Sequence, residues 1–360
     1  MNLPTDLQQH WPTPTAARPI VIIGAGGIVR DAHLPAYRQA GLPVAGIFDI
    51  EAQRARALAE AWDVPRVLAS LDDVVAMGAD VVYDVATPPD VLPQIVSALP
   101  EGAATLLQKP MGVDLDTATR VLDICRRRHL TAAVNFQLRF TPLALAVRDA
   151  VRRGLLGRPI ECEAHINVHM PWELWPFLEK LERMEIALHS IHYLDLIRSF
   201  LGEPRGVHAR TVKHPRAPRL ASSRSSIILD YGDEVRCCLS VNHHHAFGRR
   251  HQTSEIRLES ATGCAIMKLG VNLDYPRGEP DGLEIALDDA RWTTVPLAGN
   301  WFPDAFAGPM SNLQRFAAGE DAELVTGAAD AWRTMALVEA CYESDRAGGV
   351  PVASQPRGDA

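Results

Sequence analysis

The segment EIALHSIHYLD brings one carboxylate and two imidazoles into a spacing that could do chemistry. At about 100° per residue of an α-helix, Glu185, His189 and His192 fall on one stripe of the helix surface. Such a row could be a metal site, an acid/base site or a solvated face, and a structural pair of helix histidines is the default interpretation. The elements that position these residues decide between the alternatives.

A metal site has limited support from the sequence. Glu185, His189 and His192 are plausible ligand types, and His165 or His169 could add a fourth ligand. No HExxH pattern and no paired Cys/His spacing accompanies them. We therefore assign no metal ligand, and the metal interpretation stays open as the weaker alternative.

Strands and helices alternate in the first third of the chain, which predicts a parallel, doubly wound α/β sheet. The β-branched run at residues 19–23 is typical of a strand that is buried on both faces. Further strands are predicted at residues 44–48, 66–68, 80–85 and 104–107, and helices at residues 31–40 and 51–62.

The first predicted strand runs into the turn GAGGIV, which could bind a dinucleotide. Gly24 permits the tight turn, and Gly26 lets the backbone approach a pyrophosphate at the helix N-terminus. Val29 stands where the third glycine of GxGxxG is expected, so the alternative is a tight turn without a ligand. Asp49 ends the second strand, where it would bind ribose hydroxyls and repel a 2′-phosphate. We therefore predict NAD as the cofactor, and two nearby arginines leave NADP open.

A lysine at the end of another apolar run is the next chemical feature. In LLQKPMG, Pro110 restricts Lys109 to an extended conformation and ends the strand. Ligands of open α/β sheets bind beyond the carboxyl ends of the strands, so Lys109 is predicted to point towards the cofactor. A partly desolvated lysine beside a nicotinamide cation loses proton affinity, which suits acid/base chemistry near neutral pH. On this feature alone, a surface lysine is the better interpretation.

Period-two alternation predicts a strand over IECEAHINVHM, residues 160–170. One face carries Cys162, Ala164, Ile166 and Val168, which suits a core, and the other face is polar. The polar face could be solvated or could meet another subunit. The triple histidine at residues 243–245 is interpreted as a solvated or interface feature, and further strands are predicted at residues 225–231, 234–242 and 255–260.

Composition favours a globular protein without nucleic-acid or membrane partners. The chain is 47% hydrophobic with a net charge of −8, which argues against binding to nucleic acid or anionic membranes. Its apolar runs are too short to span a bilayer, no signal peptide is visible, and the six cysteines lack paired spacing. We predict reduced thiols and a cytoplasmic location.

Five motifs occur in the order in which one known family has them: VIIGAGGIVRDAHLPAY, DVATPP at 84–89, LLQKP at 106–110, NFQLRFTP at 135–142 and HSIHYLDLIRSFLGEP at 189–204. After its leader, nearly the whole chain resembles the glucose–fructose oxidoreductase/inositol dehydrogenase (Gfo/Idh/MocA) family. The resemblance implies an N-terminal Rossmann domain and a C-terminal α/β domain with a large open, mostly antiparallel sheet. It also implies hydride transfer between nicotinamide and a hydroxyl-bearing carbon of a sugar, polyol or related ring. A homodimer or homotetramer formed through the open sheet is the expected assembly.

The resemblance divides the chain into three parts. We predict a leader at residues 1–17 that can be disordered, a Rossmann domain at 18–138, and a substrate-binding and oligomerisation domain at 139–360. A chain of 360 residues exceeds one ordinary core, which agrees with two domains.

Two residues match the family's catalytic positions, and in each motif a second residue differs from the family pattern. Lys109 of QKP matches the lysine of the family's EKP motif, with Gln108 in place of the glutamate. His192 matches the histidine of the DxxxH pattern, with Leu188 in place of the aspartate. His189, next in sequence, or the carboxylate at 185 could take over part of that role.

In the expected mechanism, Lys109 is the principal acid/base, and His192 orients the substrate hydroxyl or relays its proton. Asp195 is expected to hold the tautomer of the imidazole. The predicted cofactor-binding set is Gly24, Gly26, Gly27, Ile28, Asp49, Thr87, Pro88, Gln108 and Lys109.

Substrate contacts are expected near the crossover into the second domain. Trp172 could stack on a sugar ring, and Trp301 is a weaker candidate, although core packing explains both equally well. Arg139 could bind substrate or bridge the domains. The predicted substrate-binding set is Gln137, Arg139, Trp172, Glu185, His189, His192 and Asp195.

Three functions remain open from the sequence. The first is an NAD-dependent sugar or polyol dehydrogenase, or the same enzyme working as a reductase. The second is a lyase or glycosidase that retains NAD and oxidises the sugar transiently. The third is a non-catalytic regulator that binds a nucleotide, against which the presence of both Lys109 and His192 argues.

Overall fold

The computed structural model describes residues 3–288 and 291–350, which form two β-sheets with helices packed around them. The first sheet is entirely parallel, with strand order β2-β1-β3-β4-β5, as the alternation of strands and helices predicted. The predicted strand at 66–68 is only a single bridge between Val67 and Ile47. The strands are β1 (Ile20–Ile23), β2 (Val44–Phe48), β3 (Val82–Val85), β4 (Ala104–Leu107) and β5 (Thr131–Val134).

The second sheet has eight strands in the order β13-β12-β11-β10-β6-β9-β8-β7. Its pairs are antiparallel, except that β6 and β9 run parallel. The predicted fold class, a Rossmann sheet followed by a large, mostly antiparallel sheet, is therefore confirmed. The strands are β6 (Pro159–Asn167), β7 (Gly206–Val212), β8 (Arg224–Asp230), β9 (Arg236–Asn242), β10 (Thr253–Ser260), β11 (Gly263–Lys268), β12 (Gly282–Leu287) and β13 (Trp292–Thr294).

Local sequence signals set the ends of several helices. Asp114 accepts a hydrogen bond from the Thr117 N–H before α5, and Thr141 accepts one from the Ala144 N–H before α6. No helix in the described residues combines the length and apolar character needed to cross a bilayer. The helices are α1 (Leu34–Ala40), α2 (Ala52–Trp62), α3 (Leu71–Val75), α4 (Leu92–Ala98), α5 (Leu115–Arg127), α6 (Pro142–Arg152), α7 (Ile191–Leu201), α8 (Ala307–Ala317) and α9 (Ala328–Ala347).

One face of the first sheet shares a continuous apolar core with the inner face of the second sheet. The alternation predicted for β6 contributes to it, because Cys162, Ala164, Ile166 and Val168 are all fully buried. Helix α9 contacts β5 on one side and β7 on the other, so it joins the two sheets. This shared core fixes the residues at the carboxyl ends of the first sheet against α7.

Helix α8 follows the second sheet in the chain but packs on the first. Met310 and Leu313 are fully buried among Ile20, Ile22 and Leu106. A division of the chain after residue 138 therefore separates the two sheets, but it does not separate the helices that cover them.

Residues 3–17, the described part of the predicted leader, pack against the rest of the fold. Leu7 is buried in the shared core, and the Trp11 indole N–H donates a hydrogen bond to Asp321 at 2.8 Å. The Trp11 ring also stands edge-on against Phe140, with ring centroids 5.2 Å apart. These contacts tie the segment to the rest of the fold.

Candidate active site

The glycine turn lies at the point where the strand order of the first sheet reverses, between β1 and β3. Gly24 has φ +109°, and a Cβ built on it would lie 2.4 Å from the carbonyl oxygen of Ala86. Only glycine fits there, because the ends of β1 and β3 approach each other so closely. This crevice is where doubly wound sheets bind nucleotides.

Beyond the turn, the chain leaves room for a ligand. No atom lies within 4 Å of a Cβ built on Gly26, Gly27 is exposed, and Ile28 is half-buried. The first helical turn carries amide groups without partners inside the helix, which suits a pyrophosphate. Val29 is fully buried against the sheet, so the missing third glycine leaves the open part of the turn unchanged.

Asp49 stands at the end of β2, beside the glycine turn. Its carboxylate accepts hydrogen bonds from the Ala25 N–H at 2.7 Å and from the Glu51 N–H at 2.8 Å. These two bonds fix the carboxylate while leaving it half-exposed. The turn and Asp49 therefore fit the diphosphate and adenosine ribose of a dinucleotide.

Two other strand ends border the same crevice. Thr87 is half-buried and Pro88 exposed after β3. After β4, the Gln108 carboxamide oxygen accepts a hydrogen bond from the Lys109 N–H at 2.9 Å, and its nitrogen lies 3.4 Å from the Nε2 atom of His33. Protein groups thus hold the Gln108 side chain beside this crevice, and its contact with the cofactor stays a prediction.

Lys109 reaches across to the second domain. Its Nζ donates a hydrogen bond to the main-chain carbonyl of Leu188 at 2.9 Å. Leu188 lies in a π-helical turn, Ile186–Ser190, which directly precedes α7. The predicted continuous α-helix over 185–195 is therefore wrong, because hydrogen bonds from residue i to i+5 replace the usual pattern in this turn.

The π-helical turn brings His189 and His192 to the lysine. Burial lowers the pKa of Lys109 from 10.5 to about 8. Burial, followed by the charge of Lys109, holds the pKa of His192 well below its ordinary 6.5. The pKa of His189 is also lowered, by burial first and then by His243, Lys109 and His192. In all three side chains the protonated form is therefore less favoured than it is in water.

His243 lies against His189, although the sequence interpretation assigned the triple histidine to a solvated or interface feature. It is fully buried, and its ring centroid lies 4.8 Å from that of His189. The period-two alternation of β9 contained the signal, because Leu239 and Val241 point inwards and position 243 continues their face.

Aromatic rings flank the two helix histidines. The Trp172 ring centroid is 5.1 Å from His189, and the Trp301 ring centroid is 5.6 Å from His192. Neither indole N–H, nor the side-chain oxygen of buried Gln137, has a hydrogen-bond partner among the described residues. This wall therefore combines aromatic rings with buried polar atoms that have no hydrogen-bond partner among the described residues.

Arg139 and Asp195 occupy a different place from the one predicted. Both are buried, and the guanidinium donates two hydrogen bonds of 2.6 Å to the two carboxylate oxygens of Asp195. Thr334 donates a third to Asp195 at 2.8 Å, and Arg139 also pairs with Asp330. Asp195 therefore does not hold the tautomer of His192, and neither member of the pair is available to substrate. Arg139 joins the domains, which was the alternative for this residue.

Glu185 also departs from the predicted stripe. Its carboxylate is buried, accepts a hydrogen bond from the Ser190 hydroxyl at 2.5 Å, and lies 3.7 Å from the Nε2 atom of His243. His165 and His169 are exposed on the outer face of the sheet, so they cannot complete a ligand set with it. Among residues 3–288 and 291–350, no group of three or more His, Cys, Asp or Glu side chains could hold a metal ion.

The fold and the site define an NAD-binding oxidoreductase of the sugar and polyol dehydrogenase type. A sequence model described as "Oxidoreductase family, NAD-binding Rossmann fold" matches residues 18–136, and a model of the GFO/IDH/MocA C-terminal domain matches residues 144–262. The chain therefore belongs to the Gfo/Idh/MocA family of oxidoreductases.

Known proteins resemble the chain over most of its length. It is 25% identical over 337 residues to a D-apiose dehydrogenase from Paraburkholderia graminis, covering 91% of this chain and 87% of the relative. An oxidoreductase from Agrobacterium radiobacter, solved with NAD+, L-tartaric acid and magnesium, superimposes with a TM-score of 0.77 at 21% identity, over 92% of this chain and 97% of that one. A levoglucosan dehydrogenase solved with NADH and levoglucosan gives 0.76 at 15% identity, over 92% and 98%. The structural matches support the fold.

Proposed function

We propose that the enzyme transfers hydride between NAD and a hydroxyl-bearing carbon of a sugar, polyol or related ring, and that Lys109 and His192 handle the hydroxyl proton. One contact supports this proposal most strongly. Lys109, at the end of β4, donates a hydrogen bond to the turn that precedes the helix carrying His192. A lysine whose pKa lies at about 8 can exchange a proton near neutral pH.

In the oxidation direction, the substrate hydroxyl lies between the Lys109 amine and the His192 imidazole. Lys109 in its neutral form accepts the hydroxyl proton as the C–H bond gives up its hydride, and the carbon becomes a carbonyl. Bound NAD+ supplies the hydride acceptor. His192, held neutral by burial, orients the hydroxyl through a ring nitrogen that has no partner among the described residues. In reduction, protonated Lys109 returns the proton.

The wall of the site supports a cyclic, polyhydroxylated substrate. Trp172 and Trp301 offer ring faces for C–H groups, while their N–H groups, the oxygen of Gln137 and the ring of His189 offer hydrogen bonds. The named activities of the relatives, D-apiose dehydrogenase and 1,5-anhydro-D-fructose reductase, also concern sugars.

NAD rather than NADP is the proposed partner of Asp49. The carboxylate lies where the adenosine ribose is expected, and Arg54, which could bind a 2′-phosphate, pairs with Glu51 at 2.9 Å. Because Arg54 is already paired, it does not offer a free positive charge to a 2′-phosphate on the ribose.

The first experiment is a titration of the purified protein with NADH and with NADPH, followed by tryptophan-to-nicotinamide energy transfer. Saturable NADH binding with weaker NADPH binding supports the proposal, and a screen of sugars and polyols with NAD+ then identifies the substrate. Protein that arrives with NAD bound and never releases NADH would favour the cofactor-retaining lyase or glycosidase. Binding without any turnover would favour the regulator.

We further propose a homodimer or homotetramer formed through the outer face of the second sheet. That face has a depression of about 710 Å³ lined by charges of both signs, including Glu161, Glu163, Arg236 and Arg257, with Ile228 54% exposed. Light scattering should give a multiple of the chain mass. Ile228→Arg should reduce the mass, whereas Val113→Arg, exposed before α5, should leave it unchanged. A monomeric wild-type protein would contradict this assembly.

A further inference from the structure

A buried imidazole lies behind the proposed catalytic lysine, at a position that the sequence interpretation did not use. His33 is fully buried at the end of a π-helical segment, Val29–His33, which directly precedes α1. Its Nδ1 atom lies 2.7 Å from an Asp84 carboxylate oxygen, which also accepts a hydrogen bond from the Tyr37 hydroxyl at 2.8 Å. The imidazole therefore ties the first helix of the Rossmann domain to β3.

Two side-chain amides meet the other ring nitrogen. The Nε2 atom of His33 lies 3.4 Å from the Gln108 amide nitrogen and 3.3 Å from the Asn135 amide nitrogen. The orientation of the Gln108 amide is fixed, because its oxygen already accepts the Lys109 N–H at 2.9 Å. An amide nitrogen can only donate, so Nε2 carries no proton, and Nδ1 carries the proton that His33 donates to Asp84.

These contacts make a short chain that ends at Lys109. Asp84 fixes the imidazole of His33, the imidazole accepts from the Gln108 amide, and the other end of that amide accepts from the backbone of Lys109. The lysine side chain then reaches the carbonyl of Leu188. Each link lies outside the substrate wall, so the chain can set the lysine's position without contacting substrate.

We propose that His33 is a positioning residue for Lys109 and acts through the side-chain amide of Gln108. The inference rests on the proposed acid/base role of Lys109. It also gives the glutamine in QKP a role: a carboxylate at this position can only accept a hydrogen bond and would favour a proton on Nε2, whereas the amide nitrogen donates and keeps Nε2 as an acceptor.

The sequence allows a direct measurement, because the chain has only four lysines, Lys109, Lys180, Lys213 and Lys268. In protein labelled with ¹³C-lysine, the side-chain signal missing from Lys109→Met identifies Lys109, and its chemical shift gives its titration midpoint. Gln108→Leu removes both ends of the amide link while keeping an uncharged side chain of similar length. We expect the midpoint of Lys109 to rise from about 8 towards 10.5, because a loosened lysine reaches water. The kcat should fall by roughly 10- to 100-fold, as expected for a misplaced catalytic group, with the Kd for NADH within about threefold of wild type.

Tyr37→Phe is the matched control. It deletes the other hydrogen bond to the same oxygen of Asp84 and leaves the imidazole–amide link in place. It should leave both the Lys109 midpoint and kcat unchanged, even if it lowers stability. His33→Gln should behave like Gln108→Leu.

The ring itself supplies a second readout that does not depend on turnover. In ¹⁵N-histidine spectra of the 13 histidines, the signal missing from His33→Gln should show a proton on Nδ1 only, and Gln108→Glu should add one at Nε2. A proton on Nε2 in the wild-type protein, or an unchanged Lys109 midpoint and kcat in Gln108→Leu, would overturn the inference. If the wild-type protein fails to bind NADH, the proposed function fails. A shift of the Lys109 titration midpoint in Gln108→Leu would still establish the link between the amide and the lysine.

Discussion

The ammonium of Lys109 donates a hydrogen bond to the backbone carbonyl of Leu188, across the boundary between the two sheets. In the family motif that this region resembles, position 188 would carry an aspartate. With leucine at this position, the residue supplies no carboxylate that could offset the burial of the amine. Burial lowers the pKa of Lys109 to about 8, which makes this lysine a candidate for proton transfer near neutral pH.

Removal of the amine should stop catalysis while sparing cofactor binding. In Lys109→Met, kcat should fall by about 10²- to 10⁴-fold, the usual contribution of a general acid/base. The Kd for NADH, measured by energy transfer, should stay near the wild-type value. Lys180→Met, at an exposed position, is the matched control and should keep full activity. Loss of NADH binding together with turnover would instead mean that the lysine serves the cofactor.

The pH dependence of oxidation should follow Lys109. Burial lowers the pKa of this amine to about 8, and the reaction needs its neutral form, so kcat should rise about tenfold per pH unit below pH 8 and level off above it. His189 and His192 face the amine, and their pKa values are lowered, so neither should add a break near pH 6.5. Reduction should show the opposite trend. Initial rates from about pH 5.5 to 10 test this; a break near 6.5 that disappears in His192→Gln would assign the proton to the histidine.

Asp49 should determine the choice of dinucleotide. Asp49→Ser removes the charge that repels a 2′-phosphate and the acceptor that binds the ribose. NADH affinity should therefore fall roughly tenfold or more, the value of a hydrogen bond to a charged group, while NADPH affinity rises or is unchanged. Asp123→Ser, on the exposed side of α5, should alter neither affinity. An unchanged ratio of the two dissociation constants would refute the role of Asp49.

The pair formed by Arg139 and Asp195 should contribute to stability. Asp195→Asn leaves a buried guanidinium without its full counter-charge, so the free energy of unfolding in urea should fall by about 3–5 kcal/mol. Asp63→Asn, in an exposed pair with Arg38, should cost less than about 1 kcal/mol. Substrate KM should not change in Asp195→Asn that remains folded. A large rise in KM at unchanged stability would restore the substrate-binding role that the sequence suggested.

Trp301 should contribute a hydrogen bond to substrate. Trp301→Phe keeps an aromatic face beside His192 but loses the indole N–H, so KM should rise about fivefold, the equivalent of roughly 1 kcal/mol. Trp332→Phe is the control, because that indole already donates to Thr119 at 2.8 Å. Equal KM values for wild type and Trp301→Phe would reduce Trp301 to a packing residue.

The features predictable from sequence are those whose causes are local. The turn at Gly24, the acidic end of β2 and the strand end before Lys109 each depend on a few neighbouring residues, and the structure has all three. The face of β6 followed from period two. The same rule applied to β9 would have predicted that His243 is buried. It was missed because the run of three histidines suggested a solvated or interface feature.

The features that could not be predicted depend on partners that are distant in sequence. Arg139 and Asp195 are 56 residues apart, and His33 meets Asp84, Gln108 and Asn135 at separations of 51, 75 and 102 residues. One sequence cannot show that such positions meet. The π-helical turn at Ile186–Ser190 was missed for a related reason, since its side-chain spacing also fits an ordinary helix.

The packing of α8 on the first sheet has a consequence for synthesis of the protein on the ribosome. Met310 and Leu313 cover apolar residues of β1 and β4, yet they are translated about 175 to 180 residues after the last strand of that sheet. At about 5–20 residues per second, the part of this face that α8 covers stays exposed for on the order of ten to thirty-five seconds, although α1 and α2 already pack on the same face. Chaperones that bind exposed apolar strands have that interval in which to act, because transiently exposed apolar surface promotes aggregation of the nascent chain.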